Sequence, residues 1–420
     1  MDASRTDVIV IGAGASGLTA AICAARLNAS VLVIEKTDAA GQKLSMTGNG
    51  RCNLSNMALD HTMYNATAQM FLPHYLNRFG LSETLSLMES IGIVVQDEDG
   101  YLYPISYQAT SVVNALRAEC ERLQVSFAYG AQVKSVESCG DSMYAVTTAG
   151  GDTYTGRSVI LCSGALSGTK KCGATGDAYY LLKQWGVTVT KRFPALVPLL
   201  TDDETMPQQT GVRAHATLTF MTDKYDLAEE YGEVQFYKEV LSGIPVLQAS
   251  AAVARALSEQ QTVSVRVDLF PAYSEEEFDA LVASVCARRA LPGNETVPLL
   301  EFLEGFHNRY LNEMILRKMK MSGTMKMKNI PAGMLESILR SYRKVVIPVT
   351  GVSGYDKAQA TSGGVPFTEV DEGMQLNRMQ GVYVAGELMD VDGRCGGYNL
   401  QWAWTSGAIA GSAAAERALA

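Results

Sequence analysis

The stretch DVIVIGAGASGLTAAICAARLNASVLVIEK, at positions 7–36, constrains the fold more than any other part of the chain. Val8 to Ile11 form a continuous apolar run, the pattern of a strand buried on both faces. Gly12, Gly14 and Gly17 then give G-x-G-x-x-G. In a strand–turn–helix unit the first glycine permits the tight turn, the second lets a pyrophosphate approach the backbone, and the third allows close helix–strand packing. The helix that opens near Ala15 points its free N–H groups and the positive end of its dipole at the phosphates. A second strand follows at Val31–Ile34, and Glu35 ends it near the spacing that grips a ribose hydroxyl. A glycine-rich turn in an unrelated α/β protein is the bland alternative, but here strand, glycines, helix, strand and acid fall in order.

The rest of the chain fits a packed globular protein. Hydrophobic residues make up 47% and charged residues 19% of 420, too apolar for a disordered chain and long enough for two or three domains. A net charge of −9 without a basic stripe argues against a nucleic-acid partner. The eight cysteines form no Cys-x-x-Cys pair and the four histidines show no zinc spacing, so a reduced, cytoplasmic protein without a metal is expected. The apolar stretch from Val8 to Ala25 has the length of a short membrane span, but its glycines are better explained by the phosphate turn, and no membrane span is expected. Nothing in the sequence fixes the oligomeric state.

Further along, GQKLSMTGNGRCNLSN at 41–56 is too polar and glycine-rich for a core. Its basic side chains, amides and N–H groups suit a long anionic ligand running past the pyrophosphate. QDEDGYLYP reads as a hairpin, and positions 110–123 as a helix with Ser or Thr at its N-cap. Short strands follow near 125–128, 132–136 and 144–148, then a buried strand, SVILCSGA, that ends at Gly164. After about Thr190 the character changes. HATLTFM and TVSVRVDLF alternate as half-buried antiparallel strands, Ser274 and Glu277 form a capping box, and two more helical stretches follow, the last with Pro331 at its first turn. This predicts an inserted β domain over 191–270 and 340–348 and a helical subdomain over 271–339, with 1–190 and 349–420 left for the nucleotide-binding domain. The methionines between Met314 and Met334 either fill gaps between helices or line an apolar ligand site.

The C-terminal stretch GVYVAGELMDVDGRCGGYNLQWAWTSGAIAG repeats the Gly-Arg-Cys of 50–52. It reads as a short strand, an acid at its C-terminal end, and a helix rich in small residues. The arrangement resembles the two-dinucleotide-binding-domain flavoproteins. Taken with GQKLSMTGNGRCNLSN, YPISYQATSVVNALR and TSGGVPFTEVD, it resembles more closely the BaiN-like/YhiN-like flavoproteins, over most of the chain. That family includes enzymes described as aminoacetone oxidase and as bile-acid 3-dehydro-Δ4,6-reductase. The resemblance implies an α/β fold: a Rossmann-like FAD-binding domain built from both chain ends, with an inserted antiparallel β-barrel and a helical part. It implies FAD contacts at Gly12, Gly14, Ala15, Ser16, Gly17, Glu35, Lys36, Lys43, Leu44, Gly50, Arg51, Cys52, Asn53, Val133, Gly164, Gly386, Glu387, Asp390, Gly397, Tyr398, Asn399 and Leu400. The two Gly-Arg-Cys stretches would then face one flavin.

The sequence departs from the family at Cys162, Ser163 and Gly164, where many relatives have Thr-Gly-Gly. It lacks the proline-containing stretch usual near LSGTKKCGATGDA, and FYKEVLSGIP replaces a usual Phe-Thr-His beginning. Two chemistries follow from the resemblance. One is reduction of a C=C bond conjugated to a carbonyl, by hydride from flavin N5, with NADH or NADPH as a transient donor to a small-molecule substrate. The other is oxidation of an amine with electrons passed to oxygen. A flavin-binding RNA-modification or interaction module is a third class, disfavoured by the acidic balance. Arg51, Cys52 and Tyr398 are the catalytic candidates: a carbonyl or carboxylate anchor, a thiolate activated by its neighbour, and a proton donor. For Cys52 the alternative is a small buried residue in a tight turn, and for Arg51 a bond to loop carbonyls.

Overall fold

The structure, a computed structural model, describes residues 5–140, 142–209 and 211–420. It divides into two compact units: one runs to Pro194 and resumes at Tyr355, and the other is Ala195–Gly354.

The first unit is built on a seven-stranded sheet. Arg5–Ile11 lies at its centre, parallel to Val31–Ile34 on one side and to Thr153–Leu161 on the other. Val8, Ile9 and Val10 have no exposed surface, because both faces of the sheet are covered. Ser126–Ala128 continues the parallel order beyond Val31–Ile34. The long Thr153–Leu161 strand shares its other edge between two partners. Tyr144–Thr148 pairs antiparallel with its first half, and Val382–Val384 pairs parallel with its last residues. The C-terminal strand therefore ends level with the strand that stops before Cys162, and both stop on the side where Gly12 turns. Helices Ala15–Arg26 and Tyr398–Leu419 cross at close range. A Cβ on Gly407 would sit 2.4 Å from the Ser16 carbonyl oxygen, and one on Gly411 would sit 2.3 Å from that of Ala20.

In the second unit every strand pairing is antiparallel, in the order Val345–Val349, Val263–Asp268, Val212–Thr222, Asp226–Tyr237, Val240–Ser242, Leu199–Leu200 and Gly351–Val352. Only Thr350 separates the last of these from the first. Val349 pairs with Val263 and Val352 with Leu199, so the ladder closes on itself as a barrel. Helix Ile244–Ser258 buries Val246, Ala249 and Val253 in the same core. That core is shared with Glu275–Arg288, Arg309–Lys318 and Ala332–Ser341, and Met314 and Met327 lie fully buried in it as filler.

The α/β class expected from the sequence is the one observed, with local corrections. Helix Ala109–Arg122 starts after Gln108, not after Ser or Thr. Pro331 is the N-cap of its helix rather than a residue of the first turn. The long helical stretch before it breaks into Leu299–Phe302 and Arg309–Lys318, and Asn308 caps the second by accepting a bond from the Tyr310 N–H at 2.9 Å. Helix Ile244–Ser258 falls inside the segment read as β; its Ala-rich sequence carries the helical period, and Gly243 and Pro245 open it.

Candidate functional site

The glycines of the first turn divide into two kinds. Gly12 has φ +105°, and a Cβ there would lie 2.5 Å from the Cys162 carbonyl oxygen; one on Gly17 would lie 1.9 Å from that of Gly12. These two are glycine because the backbone packs there. Gly14 is different: it precedes helix Ala15–Arg26 with ordinary dihedrals, no side chain caps the helix, and a Cβ would meet nothing within 4 Å. Open space thus adjoins a helix start that no side chain caps. Glu35 is aimed at this turn, since its carboxylate accepts the Ala13 N–H at 2.7 Å and the N–H and hydroxyl of Thr37, each at 2.8 Å.

Lys36 leads away from the turn to Asp177, which it meets at 2.8 Å and which also accepts from Gln132 at 3.1 Å. Val133, Gln132 and Asp177 line a cavity of about 270 Å³. Asp177 and Thr175, which bonds both Lys36 and Asp177, lie outside the set of contacts expected from the sequence; the Thr-Gly-Asp after the returning strand is the signal that points to them.

On the other side, Lys43 pairs with Glu387 at 2.5 Å, and Glu387 also accepts the Thr361 N–H at 2.9 Å. Leu44 is buried beside Lys43. Gly386 has φ +70°, and its N–H donates to Ser406 Oγ at 2.9 Å; a Cβ there would lie 2.4 Å from Ser16 Oγ, so the C-terminal strand end abuts the first helix. Gly50 and Gly164 both have positive φ and face open space. Next to Gly164, the Ser163 hydroxyl is buried and has no hydrogen-bond partner among the described residues.

The two Gly-Arg-Cys stretches do meet. A Cβ on Gly397 would lie 2.5 Å from the Ser55 carbonyl oxygen and 2.8 Å from the end of the Asn53 side chain. Asn56 donates to the Gly396 carbonyl at 3.0 Å, Ser55 to Gln401 at 2.6 Å, and the Trp404 indole to the Leu54 carbonyl at 2.9 Å. Asn65 donates to Asp390 at 3.2 Å and accepts from the Asp392 N–H at 3.1 Å. Thr190 donates to the other oxygen of Asp390 at 2.9 Å. Asn399 turns inward and exchanges two bonds with the Gly393 backbone, at 2.9 and 2.8 Å. Leu400 is half-buried against the core.

The three catalytic candidates sit in unlike surroundings. Arg51 points to the surface hairpin. Its guanidinium lies over the neighbouring rings of Tyr103 and Tyr107, 4.4 and 4.3 Å from their centroids, and pairs with Glu98 at 2.6 Å. Cys52 is fully buried at φ +60°, and burial pushes its thiol up to about 12, the direction opposite to activation. Tyr398 packs its ring edge-on to Tyr64, and its hydroxyl makes one long bond, 3.5 Å to the Ala58 carbonyl. Burial raises its pKa above that of a free tyrosine.

Glycines facing open space, an uncapped helix start and an orphaned buried hydroxyl are together what an extended dinucleotide requires. The family described as HI0933-like protein Rossmann domain matches residues 6–413. The chain belongs to this family. Among relatives, the 3-dehydro-bile acid Δ(4,6)-reductase of Clostridium scindens is 35% identical over 97% of this chain and 98% of its own. The ribosomal RNA dihydrouridine synthase of Haemophilus influenzae is 28% identical over 95% of this chain and 96% of its own. Among solved structures, 3-ketosteroid Δ1-dehydrogenase from Sterolibacterium denitrificans has the same fold, with a TM-score of 0.53 at 13% identity over 98% of this chain and 99% of that one. This HI0933-like protein is an oxidoreductase. No helix among the described residues is long and apolar enough to cross a membrane.

Proposed function

We propose that this protein is an FAD-dependent reductase that saturates a C=C bond conjugated to a carbonyl in a small molecule, with NADH or NADPH as electron donor. The observation that carries the reading is the 35% identity to the Clostridium scindens reductase over nearly the full length of both chains. The Haemophilus influenzae relative is named for the same bond change, since dihydrouridine is uridine with a ring double bond beside a carbonyl saturated.

When bound, FAD supplies the hydride chemistry, and the chain positions it. Gly14, Ala15 and Ser16 would receive the diphosphate and Glu35 a ribose hydroxyl, while Lys36 and Val133 would flank the adenosine end. Lys43, Glu387 and Asp390 would hold the ribityl side. Helix Tyr398–Leu419 starts at Gly397 with no side-chain cap, so its first N–H groups offer a counter-charge to an anionic ring. Tyr398 keeps its proton at neutral pH, and we assign its hydroxyl as the donor to the substrate carbon. Arg51 would meet a substrate carboxylate only by exchanging Glu98 for it.

A second reading, reduction of a base in RNA, draws on the Haemophilus influenzae relative. The net charge of −9 weighs against it. Anaerobic stopped-flow spectroscopy of the yellow protein tests both. Bleaching by NADH or NADPH and reoxidation by a steroid enone support the proposal. Bleaching by amines alone makes the protein an oxidase, and retention of ribosomal RNA on a filter at low salt supports the second reading.

A further inference from the structure

Tyr179 stands in the first turn of helix Asp177–Gln184, whose first residue is the Asp177 already met beside Lys36. It is 7% exposed, yet its hydroxyl, buried with it, has no hydrogen-bond partner among the described residues. A buried unmade hydroxyl costs about 1–3 kcal/mol, so a protein keeps one where something else completes it. The ring is fixed from two sides. The Arg192 guanidinium lies over one face, 4.5 Å from the centroid, and the αL turn at Gly176 comes close enough to the ring edge that a Cβ there would lie 3.0 Å from it. What remains free to be used is the hydroxyl. The same Cβ on Gly176 would lie 2.7 Å from Leu166; the Leu166 N–H donates to Thr361 Oγ1 at 3.2 Å and the Thr361 N–H to Glu387 at 2.9 Å, so Tyr179 stands on the side of the site where Lys43 and Glu387 pair.

Resting on the FAD reading above, we infer that Tyr179 is a positioning residue for the cofactor: its hydroxyl donates to an acceptor oxygen of the diphosphate–ribityl chain. The orphaned Ser163 hydroxyl, on the strand end beside Gly12, is an independent sign of missing acceptors in the same region. A side chain serving the protein alone would be bonded in the protein alone.

The test is Tyr179→Phe, which removes one oxygen and leaves the ring and its stacking with Arg192 in place. Tyr231→Phe, exposed in the second unit, is the control. FAD is titrated into each apoprotein, and thermal unfolding is followed with and without FAD. The expected result for Tyr179→Phe is FAD binding weakened roughly five- to tenfold, with an apoprotein at least as stable as wild type because the unmade hydroxyl is gone. The control should match wild type in both. Equal FAD affinity for Tyr179→Phe and wild type overturns the inference. So does an apoprotein that loses as much stability as the FAD-bound form, because the hydroxyl then serves the protein. A wild-type protein that takes up no FAD overturns the reading beneath it instead.

Discussion

Gly12 and Gly14 occupy the same motif for different reasons, and substitution should separate them. At Gly12 a Cβ meets backbone at 2.5 Å and φ is +105°, so Gly12→Ala should destabilise the apoprotein by about 3 kcal/mol in denaturant unfolding. At Gly14 the backbone is ordinary and the space open, so Gly14→Ala should leave apoprotein stability within about 0.5 kcal/mol of wild type. Its methyl would stand in the ligand's path, and FAD affinity should fall by roughly tenfold or more. Cys52 makes the matching case for a side chain. With its thiol pushed up to about 12, it carries almost no thiolate at neutral pH. Iodoacetamide labelling of the native protein, read by mass spectrometry, should spare Cys52 between about pH 7 and 9 while modifying exposed Cys139. Cys52→Ala should keep turnover within about twofold of wild type, and a larger loss would restore the thiol as a participant. The motif spelled out which residues gather at the turn. It did not say which glycines are there for the fold and which for the ligand, because that depends on Cys162, some 150 residues away, meeting Gly12.

At the scale of elements, the first helix is tied to Ala109–Arg122 by one buried carboxylate. Glu119 accepts from Arg122 at 2.7 and 2.9 Å and from Arg26, at the end of Ala15–Arg26, at 2.7 and 3.1 Å. The bonds from Arg122, joined by those from Arg26, pull its pKa from 4.5 to about 2. A depressed carboxylate stabilises the fold fully above its unfolded pKa, and that contribution disappears as pH falls from about 4.5 through about 2. Glu119→Gln should therefore cost about 1–2 kcal/mol at neutral pH, nothing once the pH is well below about 2, and leave a flatter acid limb in unfolding curves. An unchanged acid limb would mean that the pair carries no net stability. Elements were legible wherever pattern and punctuation agreed: the capping box at Ser274, the alternating strands, the buried run at Val8. Helix Ile244–Ser258 was hidden because its alanines and β-branched residues sit between two strands, where an alternating pattern is expected to continue. The break at Asn308 was hidden because apolar residues run on both sides of it.

Across the whole molecule, the sequence shows two like tripeptides, and the structure turns that likeness into a clasp. Asn65 and Asp392 exchange bonds at 2.9 and 3.1 Å, Asn56 holds Gly396, and Trp404 holds Leu54. None of these pairings is written in a local pattern, because each joins residues more than 300 apart; the Gly and Asn content marked only where the chain approaches itself or a ligand closely. A clasp of this kind opens as one unit or not at all. Amide exchange in 54–65 and 390–401 should therefore proceed with one common opening free energy. FAD at a hundredfold excess over its dissociation constant should slow both segments by about a hundredfold. Trp404→Phe, which removes the bond to Leu54, should speed exchange in both segments equally. Protection by FAD confined to one segment, or a Trp404→Phe effect confined to 390–401, would mean that the two ends lie side by side without sharing a ligand.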